Sequence, residues 1–346
     1  MTADTVGGVW PYALELARAL PDIGFALATM GAPVSARQRD EADGIANVDI
    51  FESTYRLEWM DNPWADVAAA GRWLLGLEAR LKPDVVHLNG YTHARLPWRA
   101  PVVVVAHSCV LSWWRAVKRE PAPACWDRYR EEVRAGLEAA GLVVAPTHAM
   151  LASLRENYGP VRHARVIPNG RTPQQFPPGI KENFILASGR LWDEGKNAAA
   201  LERVAPRLRW PVYLAGEGAG EPAGAHRLGR LAPAELARWY GRAAIFAHPA
   251  RYEPFGLSVL EAALAGCALV LGDIPSLREN WYDAALFVPP DDDAALERAL
   301  NGLIEDPHTR AGLRARASAR AAHFHPARMA AAYRAAAYME AERLCA

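Results

Sequence analysis

Residues 244–264 read AIFAHPARYEPFGLSVLEAAL, and this stretch decides how the second half of the chain is built. Ala244–His248 is a continuous apolar run, the pattern of a strand covered by helices on both faces. Pro249 ends it. The Pro254-Phe255-Gly256 turn then opens a helix whose face runs through Leu257, Leu260 and Leu264. Glu253 therefore sits in the loop before the helix, and Glu261 lies inside it. The backbone N–H groups of Phe255, Gly256 and Leu257, with Ser258 just beyond, are expected to be unpaired at the helix start and aimed at hydroxyls or phosphate. A carboxylate accepts paired hydrogen bonds from vicinal diols. One acid could hold the hydroxyls of a sugar and the other those of a ribose, with phosphates between them. A dipole-favoured acid plus a solvated helix Glu would account for the two charges, but not for the tight turn between apolar flanks.

Working outward, residues 184–197 read FILASGRLWDEGKN. An apolar strand ends at Gly189, and Arg190 and Lys196 follow at its carboxyl end, where open parallel sheets bind ligands. A fork-shaped guanidinium and a point-charge ammonium suit the two phosphates of a diphosphate. The competing reading is a surface pair neutralised by Asp193 and Glu194. At the other end of the chain, Thr5-Val6-Gly7-Gly8-Val9 precedes an amphipathic helix marked by Val9, Tyr12, Ala13, Leu16 and Leu20. Paired glycines let backbone pass close to a ligand, and the helix start beyond them offers N–H groups to an anion. By itself, the Gly-Gly pair is also what a simple strand-to-helix turn contains.

Short β-branched runs alternate with helical segments throughout, which predicts α/β layers around parallel sheets. Predicted strands are Phe25–Thr29, Asp84–Leu88, Val102–Ala106 and Leu142–Pro146, then Phe184–Ser188, Val212–Ala215, Ala244–His248, Ala268–Leu271 and Leu286–Val288. Residues 168–183 gather prolines, glycines and polar residues between two strand patterns and read as an interdomain linker. The expected domains are 1–172 and 173–325. A final helix, about Pro326 to Leu344, is long enough to return to the first, so that 326–346 completes it.

At 346 residues the chain suits two domains, and its 39 Lys+Arg balance 39 Asp+Glu. Such a balance argues against nucleic acid as a partner. Cys109, Cys125, Cys267 and Cys345 show no CxxC spacing and read as reduced packing residues. The first residues lack a signal-peptide pattern, and no apolar run approaches the ~18 residues of a membrane span. A cytoplasmic protein is expected, with peripheral contact at a membrane surface left open.

Together these motifs resemble family-4-type retaining glycosyltransferases. Glu253 and Glu261 look like that family's E-x7-E signature, and GRLWDEGKN like its phosphate-binding Arg and Lys. TVGGVW resembles its first-domain glycine loop, and Val166–Gly170 the strand end before its linker. The resemblance spans nearly the whole chain, in the right order. It implies a GT-B fold, two Rossmann-like domains facing a cleft, with a nucleotide diphosphate sugar held mostly by the second. Arg190 and Lys196 would then hold the diphosphate with Gly7 and Gly8, and Glu261 the ribose. Glu253 and the backbone of Phe255 to Ser258 would hold the donor sugar.

His107 falls where the family places a histidine beside that sugar; a packed strand-end histidine is the plainer reading. No metal or other cofactor is implied, since fixed cations and helix N-termini take the leaving-group charge. Asp291-Asp292-Asp293 then read as linker acids and a helix start. The resemblance also shows departures. Only Met1 to Val6 precede the glycine loop, where the family has an apolar strand. This leaves either a very short first strand or a start further upstream. The loop lacks the Lys that precedes Gly-Gly in glycogen and starch synthases, which argues against an α-glucan synthase.

The expected reaction moves a hexose from UDP-glucose or GDP-mannose onto a sugar, lipid-linked or other hydroxyl acceptor. His87, Asn89, His93, Trp113 and Trp114 are expected in or beside first-domain loops that face this acceptor, tryptophans stacking on sugars through their apolar faces. A nucleotide-sugar 2-epimerase or hydrolase on the same fold, and a non-catalytic sugar-nucleotide-binding protein, are the alternatives.

Overall fold

A computed structural model describes residues 1–218 and 224–338 of the chain. The chain divides into two compact units. The first comprises Met1–Arg115, Glu120–Gly170 and the segment from Pro326; the second comprises Ala116–Arg119 and Arg171–His325.

The first unit contains β1 (Thr2–Asp4), β2 (Phe25–Met30), β3 (Val48–Phe51), β4 (Val86–Leu88), β5 (Val102–Val105), β6 (Leu142–Ala145) and β7 (Ala164–Val166). They form two parallel sheets, β1-β2-β3 and β4-β5-β6-β7. Asn89 closes the seam between β4 and β1: its N–H donates to Thr2 Oγ1 at 2.8 Å and its Nδ2 to the Thr2 carbonyl at 2.6 Å. The short run before the glycine loop thus does form a strand, with Thr2 opposite Ala28 on β2 and both Thr2 and Ala3 buried. The run Val102–Val105 shows why the sheet needs helices on both faces. Val103 and Val105 point into a core with Tyr12, Leu16 and Leu27, while Val102 and Val104 point into another with Val133 and Leu154. Each buried valine contributes roughly 2 kcal/mol of apolar transfer.

The second unit contains β8 (Glu182–Ser188), β9 (Val212–Ala215), β10 (His226–Gly229), β11 (Ala243–His248), β12 (Ala268–Gly272) and β13 (Ala285–Val288). All pairings are parallel, in the order β10-β9-β8-β11-β12-β13. The direction of strand succession reverses between β8 and β11, which makes the crevice beyond their carboxyl ends the place where a doubly wound sheet binds ligands. Both faces are apolar: Leu186 and Phe246 join Tyr240 and Trp281 on one side, while Ile185 and Val270 join Leu201 and Leu300 on the other.

Two strands absent from the sequence reading, β3 and β10, are partly exposed and lie at sheet edges, as does β7, of which only the end at Val166 was expected. Edge strands need less apolar sequence, so their periodicity is weak. Asp84 precedes β4 and is exposed, so that strand is shorter than expected. The C-terminal helix begins at Pro326 and runs to Tyr333, then continues in π-helical form over Arg334–Tyr338. Met329, Ala330, Tyr333 and Ala337 pack in the first unit's core; residues 339–344 of the expected helix, and Cys345, lie outside the described residues. Among the described residues no helix is long and apolar enough to cross a membrane.

Candidate active site

The loop from Gly189 to Asn197 is fixed by its own side chains. Asp193 is buried; its Oδ1 accepts from the Gly195 N–H at 2.9 Å and its Oδ2 from Arg190 Nη2 at 3.2 Å. Asn197, in the left-handed region at φ 55°, donates through Nδ2 to the carbonyls of Pro249 (2.9 Å) and Pro290 (2.7 Å). The Gly195 carbonyl in turn accepts from the N–H groups of Arg251 and Tyr252, at 2.9 and 3.1 Å. The loop after β8 is therefore stitched to the loop after β11 on both sides of Lys196. On its other side the same loop lies against the end of β9, where a Cβ at Gly216 would stand 1.9 Å from the Gly189 carbonyl oxygen.

This stitching brings Lys196 and Glu253 together. Lys196 Nζ donates to Glu253 Oε2 at 2.7 Å, and His248 Nε2 donates to the same oxygen at 3.1 Å. Glu253 Oε1 accepts from the Gly256 N–H at 3.0 Å. The amide of Gly256, expected to be unpaired, is thus capped by the turn's own acid. Burial pushes the Glu253 carboxyl up, but Lys196 and His248 override it and hold the group well below the usual carboxylate range. Gly256 adopts φ 92°, which opens the helix Leu257–Leu264 directly after the turn. Behind the turn, Ser276 Oγ donates to the Glu253 carbonyl and Asn280 Nδ2 to the Phe255 carbonyl. The Phe255 ring is buried edge-on to Phe324, so only its backbone is open to a ligand role. Leu257 and Ser258 are half-buried on the first turn.

Of the two cations, Arg190 takes the partner foreseen for it by the surface-pair reading, Asp193, and keeps 38% of its side-chain surface exposed. Lys196 instead crosses to the acid on the neighbouring strand's loop. Glu261 lies one helical turn and more beyond Glu253 and forms a buried ion pair with Arg171, Nε to Oε1 2.9 Å. Asp292 caps the helix Asp293–Glu305 by accepting from Ala295 N–H, while Asp291 and Asp293 pair with Arg251 and Arg203. The three acids so read as linker and helix start.

In the first unit Gly7 takes φ 98°, and Gly8 caps the helix Val9–Arg18 without any side-chain bond. His107 follows β5, and its Nε2 bonds Asn89 Oδ1 at 2.9 Å. Because Asn89 Nδ2 is committed to a carbonyl, Oδ1 must accept and His107 Nε2 must carry the proton. Burial lowers the His107 pKa to about 3, so the ring is neutral and its Nδ1 holds a lone pair. The ring lies edge-on to Tyr12 at 4.5 Å.

The acceptor-side assignments fare differently. His87 is inside β4 and buried, bonded to Tyr12 OH at 3.3 Å and Tyr338 OH at 2.9 Å, so an acceptor has no access to it. Its place in the strand interior follows from the alternation of a sheet that is buried on both faces. His93 bonds the Val67 carbonyl at 3.0 Å and anchors its short 3₁₀ turn to the helix Trp64–Leu81. Asn89 is spent on the strand seam and on His107. Trp113 and Trp114 are half-buried neighbours in the helix Val110–Lys118, ring centroids 5.6 Å apart.

Arg171, Asn197, His248, Ser276 and Asn280 were not singled out by sequence. Asn197 and His248 stand inside the stretches that carry the motifs; Arg171, Ser276 and Asn280 gain meaning only through the fold.

Two units built on parallel sheets covered by helices, the second with charged loops at the switch point of its six-stranded sheet, have the GT-B architecture. The chain belongs to the group 1, family-4-type glycosyltransferases. The description Glycosyltransferase Family 4 matches residues 6–175 and Glycosyl transferases group 1 matches residues 182–306. Among curated relatives, phosphatidyl-myo-inositol mannosyltransferase of Mycolicibacterium smegmatis is 35% identical over 153 residues, 39% of this chain and 40% of that protein. Glycogen synthase of Mycobacterium tuberculosis is 29% identical over 67% of this chain and 63% of its own length. D-inositol 3-phosphate glycosyltransferase 2 of Catenulispora acidiphila is 27% identical over 92% of this chain and 86% of its own. The chain thus spans less than two thirds of the first two relatives. Sucrose-phosphate synthase from Thermosynechococcus elongatus superposes with TM-score 0.77 at 18% identity, covering 95% of this chain and 93% of that one. Anabaena HepE, solved in complex with UDP and glucose, gives 0.73 at 17%, covering 99% and 98%. These two likenesses speak for the fold.

Proposed function

We propose that this chain is a retaining hexosyltransferase that takes a nucleotide diphosphate sugar, UDP-glucose or GDP-mannose, and passes the hexose to a hydroxyl acceptor without a metal. The observation that carries this reading is the meeting of Lys196 with Glu253 at the switch point of the second unit, 2.7 Å apart, with Arg190 on the same loop as Lys196 and bonded there to Asp193. Arg190 and Lys196 supply fixed positive charge where a leaving diphosphate would develop its negative charge, and preorganised charge lowers a barrier when it favours the transition state over the ground state.

Glu253 serves as a hydrogen-bond acceptor for donor-sugar hydroxyls. A carboxylate pinned by three donors and held strongly ionised is a poor general acid at neutral pH. This favours same-face transfer, in which the leaving phosphate takes the acceptor proton, over the acid–base cycle an epimerase needs. Glu261 holds the ribose, and the backbone of Phe255 to Ser258 adds contacts to the sugar and phosphates. In the first unit, Gly7, Gly8 and neutral His107 are the groups assigned to the donor.

The acceptor is a carbohydrate or polyol. Two of the relatives are named for inositol-containing acceptors, which makes inositol phosphates the first class to try. The buried, reduced thiols of Cys109 and Cys267 suit a reducing, cytoplasmic setting. The test is incubation with UDP-glucose and GDP-mannose, with EDTA and an acceptor panel that includes inositol phosphates, followed by the one-bond C1–H1 coupling at the anomeric centre of the product. An α-linked product from an α-linked donor supports the reading; inversion, or donor consumption without any acceptor, would count against it.

A further inference from the structure

Arg171 stands at the point where the chain enters the second unit, in a linker stretch rich in Pro and Gly. Its side chain is 9% exposed and its ion partner, Glu261, is 12% exposed. Its contacts include the pair itself at 2.9 Å, the Phe176 ring at 5.0 Å beneath its guanidinium, and its own N–H bonded to the Phe324 carbonyl at 3.1 Å. Glu261 sits on a helix whose buried residues Val259, Leu260, Ala262 and Ala263 pack in an apolar core, and it is hydrogen-bonded to the buried phenol of Tyr240, which burial and then the Glu261 charge push upward. A carboxylate in such surroundings calls for a cation, and a guanidinium sandwiched on an aromatic ring fixes its orientation as an ammonium cannot.

We propose that Arg171 is a positioning residue for Glu261, holding its carboxylate in the orientation that takes the vicinal 2′ and 3′ hydroxyls of a nucleotide ribose. This rests on the ribose role given to Glu261 above and adds a residue from outside the acid motif. Arg171 touches no ligand in this account; it acts through the acid, by restricting how the carboxylate can turn and by neutralising it in an apolar setting.

The experiment compares the affinities of UDP and GDP with those of their 2′-deoxy counterparts, by titration calorimetry on the full chain. The variants are Arg171→Met, Arg171→Lys, Glu261→Gln and the double variant Arg171→Met/Glu261→Gln. Each ratio is taken within one protein, so partial unfolding does not move it. In the wild type the ribonucleotide binds about tenfold more tightly than its deoxy form, the worth of one good hydrogen bond to a charged group. Arg171→Met brings the ratio within about twofold of one, Arg171→Lys restores part of it, and the double variant discriminates no less than Glu261→Gln alone. If Glu261→Gln abolishes discrimination while Arg171→Met keeps the full tenfold ratio, the positioning role is wrong and the ribose role stands. If Glu261→Gln leaves discrimination intact, or neither diphosphate binds the folded wild type, the ribose assignment falls and takes this inference with it.

Discussion

Replacing Lys196 with Met tests how much the ion pair that the stitched loops bring together contributes to stability. The side chains of Lys196 and Glu253 are 15% and 12% exposed, so this is a largely buried pair. Removing one partner of a buried pair costs ~3–5 kcal/mol, because the remaining charge is left without compensation. Glu253 keeps its bonds from His248 and the Gly256 N–H, which puts the cost at the low end, about 3 kcal/mol. In a unit of about 155 residues each kcal/mol moves the midpoint by ~2–4 °C, so the calorimetric transition containing the second unit should fall by roughly 6–12 °C.

The pH dependence carries a second sign. In the wild type the Glu253 pKa is depressed in the folded state, so its stabilisation is present above the unfolded value of about 4.3 and is lost as pH falls through the folded value. Without Lys196 the upward push of burial loses its main opponent, and the folded protein binds a proton more readily. The gap between wild type and variant should therefore narrow as pH falls from 8 toward 4. The double variant Lys196→Met/Glu253→Gln should recover part of the loss. A variant melting within about 1 °C of wild type, with a gap constant over this pH range, would refute the claim that this buried pair stabilises the second unit.

Other substitutions probe separate links. Gly256→Ala places a Cβ at φ 92°, 3.2 Å from Val259 Cγ2 and 3.3 Å from Leu277 Cδ2; we expect a loss of ~1–3 kcal/mol by denaturant titration and a larger relative loss of kcat/KM. Asn197→Ala leaves the Pro249 and Pro290 carbonyls unpartnered by this side chain and puts Ala in the left-handed region, so it should cost ~2–3 kcal/mol, with Asn197→Gly closer to wild type. His107, lowered to about 3 by burial, binds no proton in the folded state over a range where the unfolded chain, with a value near 6.5, does. It therefore costs stability as pH falls from about 6.5 toward 3, and His107→Gln should flatten that acid-side slope by up to one proton in pH-dependent melts. Ser276→Ala removes the prop behind the Glu253 carbonyl and should lower kcat more than it lowers the melting temperature.

The central strands and both acids were legible because they obey strong local rules. Ile185–Ser188 and Ile245–His248 are apolar on both faces, a pattern that few alternatives share, and Glu253 is flagged by the turn that follows it. What could not be read was which groups meet. The expectation paired Lys196 with phosphate or with its sequence neighbours, yet its ammonium reaches an acid on the next strand's loop. Strand order decides this, and strand order is not a local property. His87 illustrates the same limit: it lies in a strand that the pattern predicts, but that its side chain is enclosed by Tyr12 and Tyr338 depends on residues distant in sequence. Arg171 carried no signal at all, since a lone arginine among prolines and glycines reads as a solvated linker residue. The three-residue strand β1 was too short for periodicity to register, and its place is fixed by Asn89, 87 residues away.

The most direct test of the account is calorimetric titration of the wild-type chain with UDP-glucose and GDP-mannose in EDTA, beside Arg190→Ala and Glu253→Gln variants shown by melting to be folded. The expected result is saturable binding of one donor class without metal, weakened at least tenfold in both variants. Binding of neither donor to the folded wild type, or binding that both variants preserve, would contradict the assignment of this site to a nucleotide diphosphate sugar.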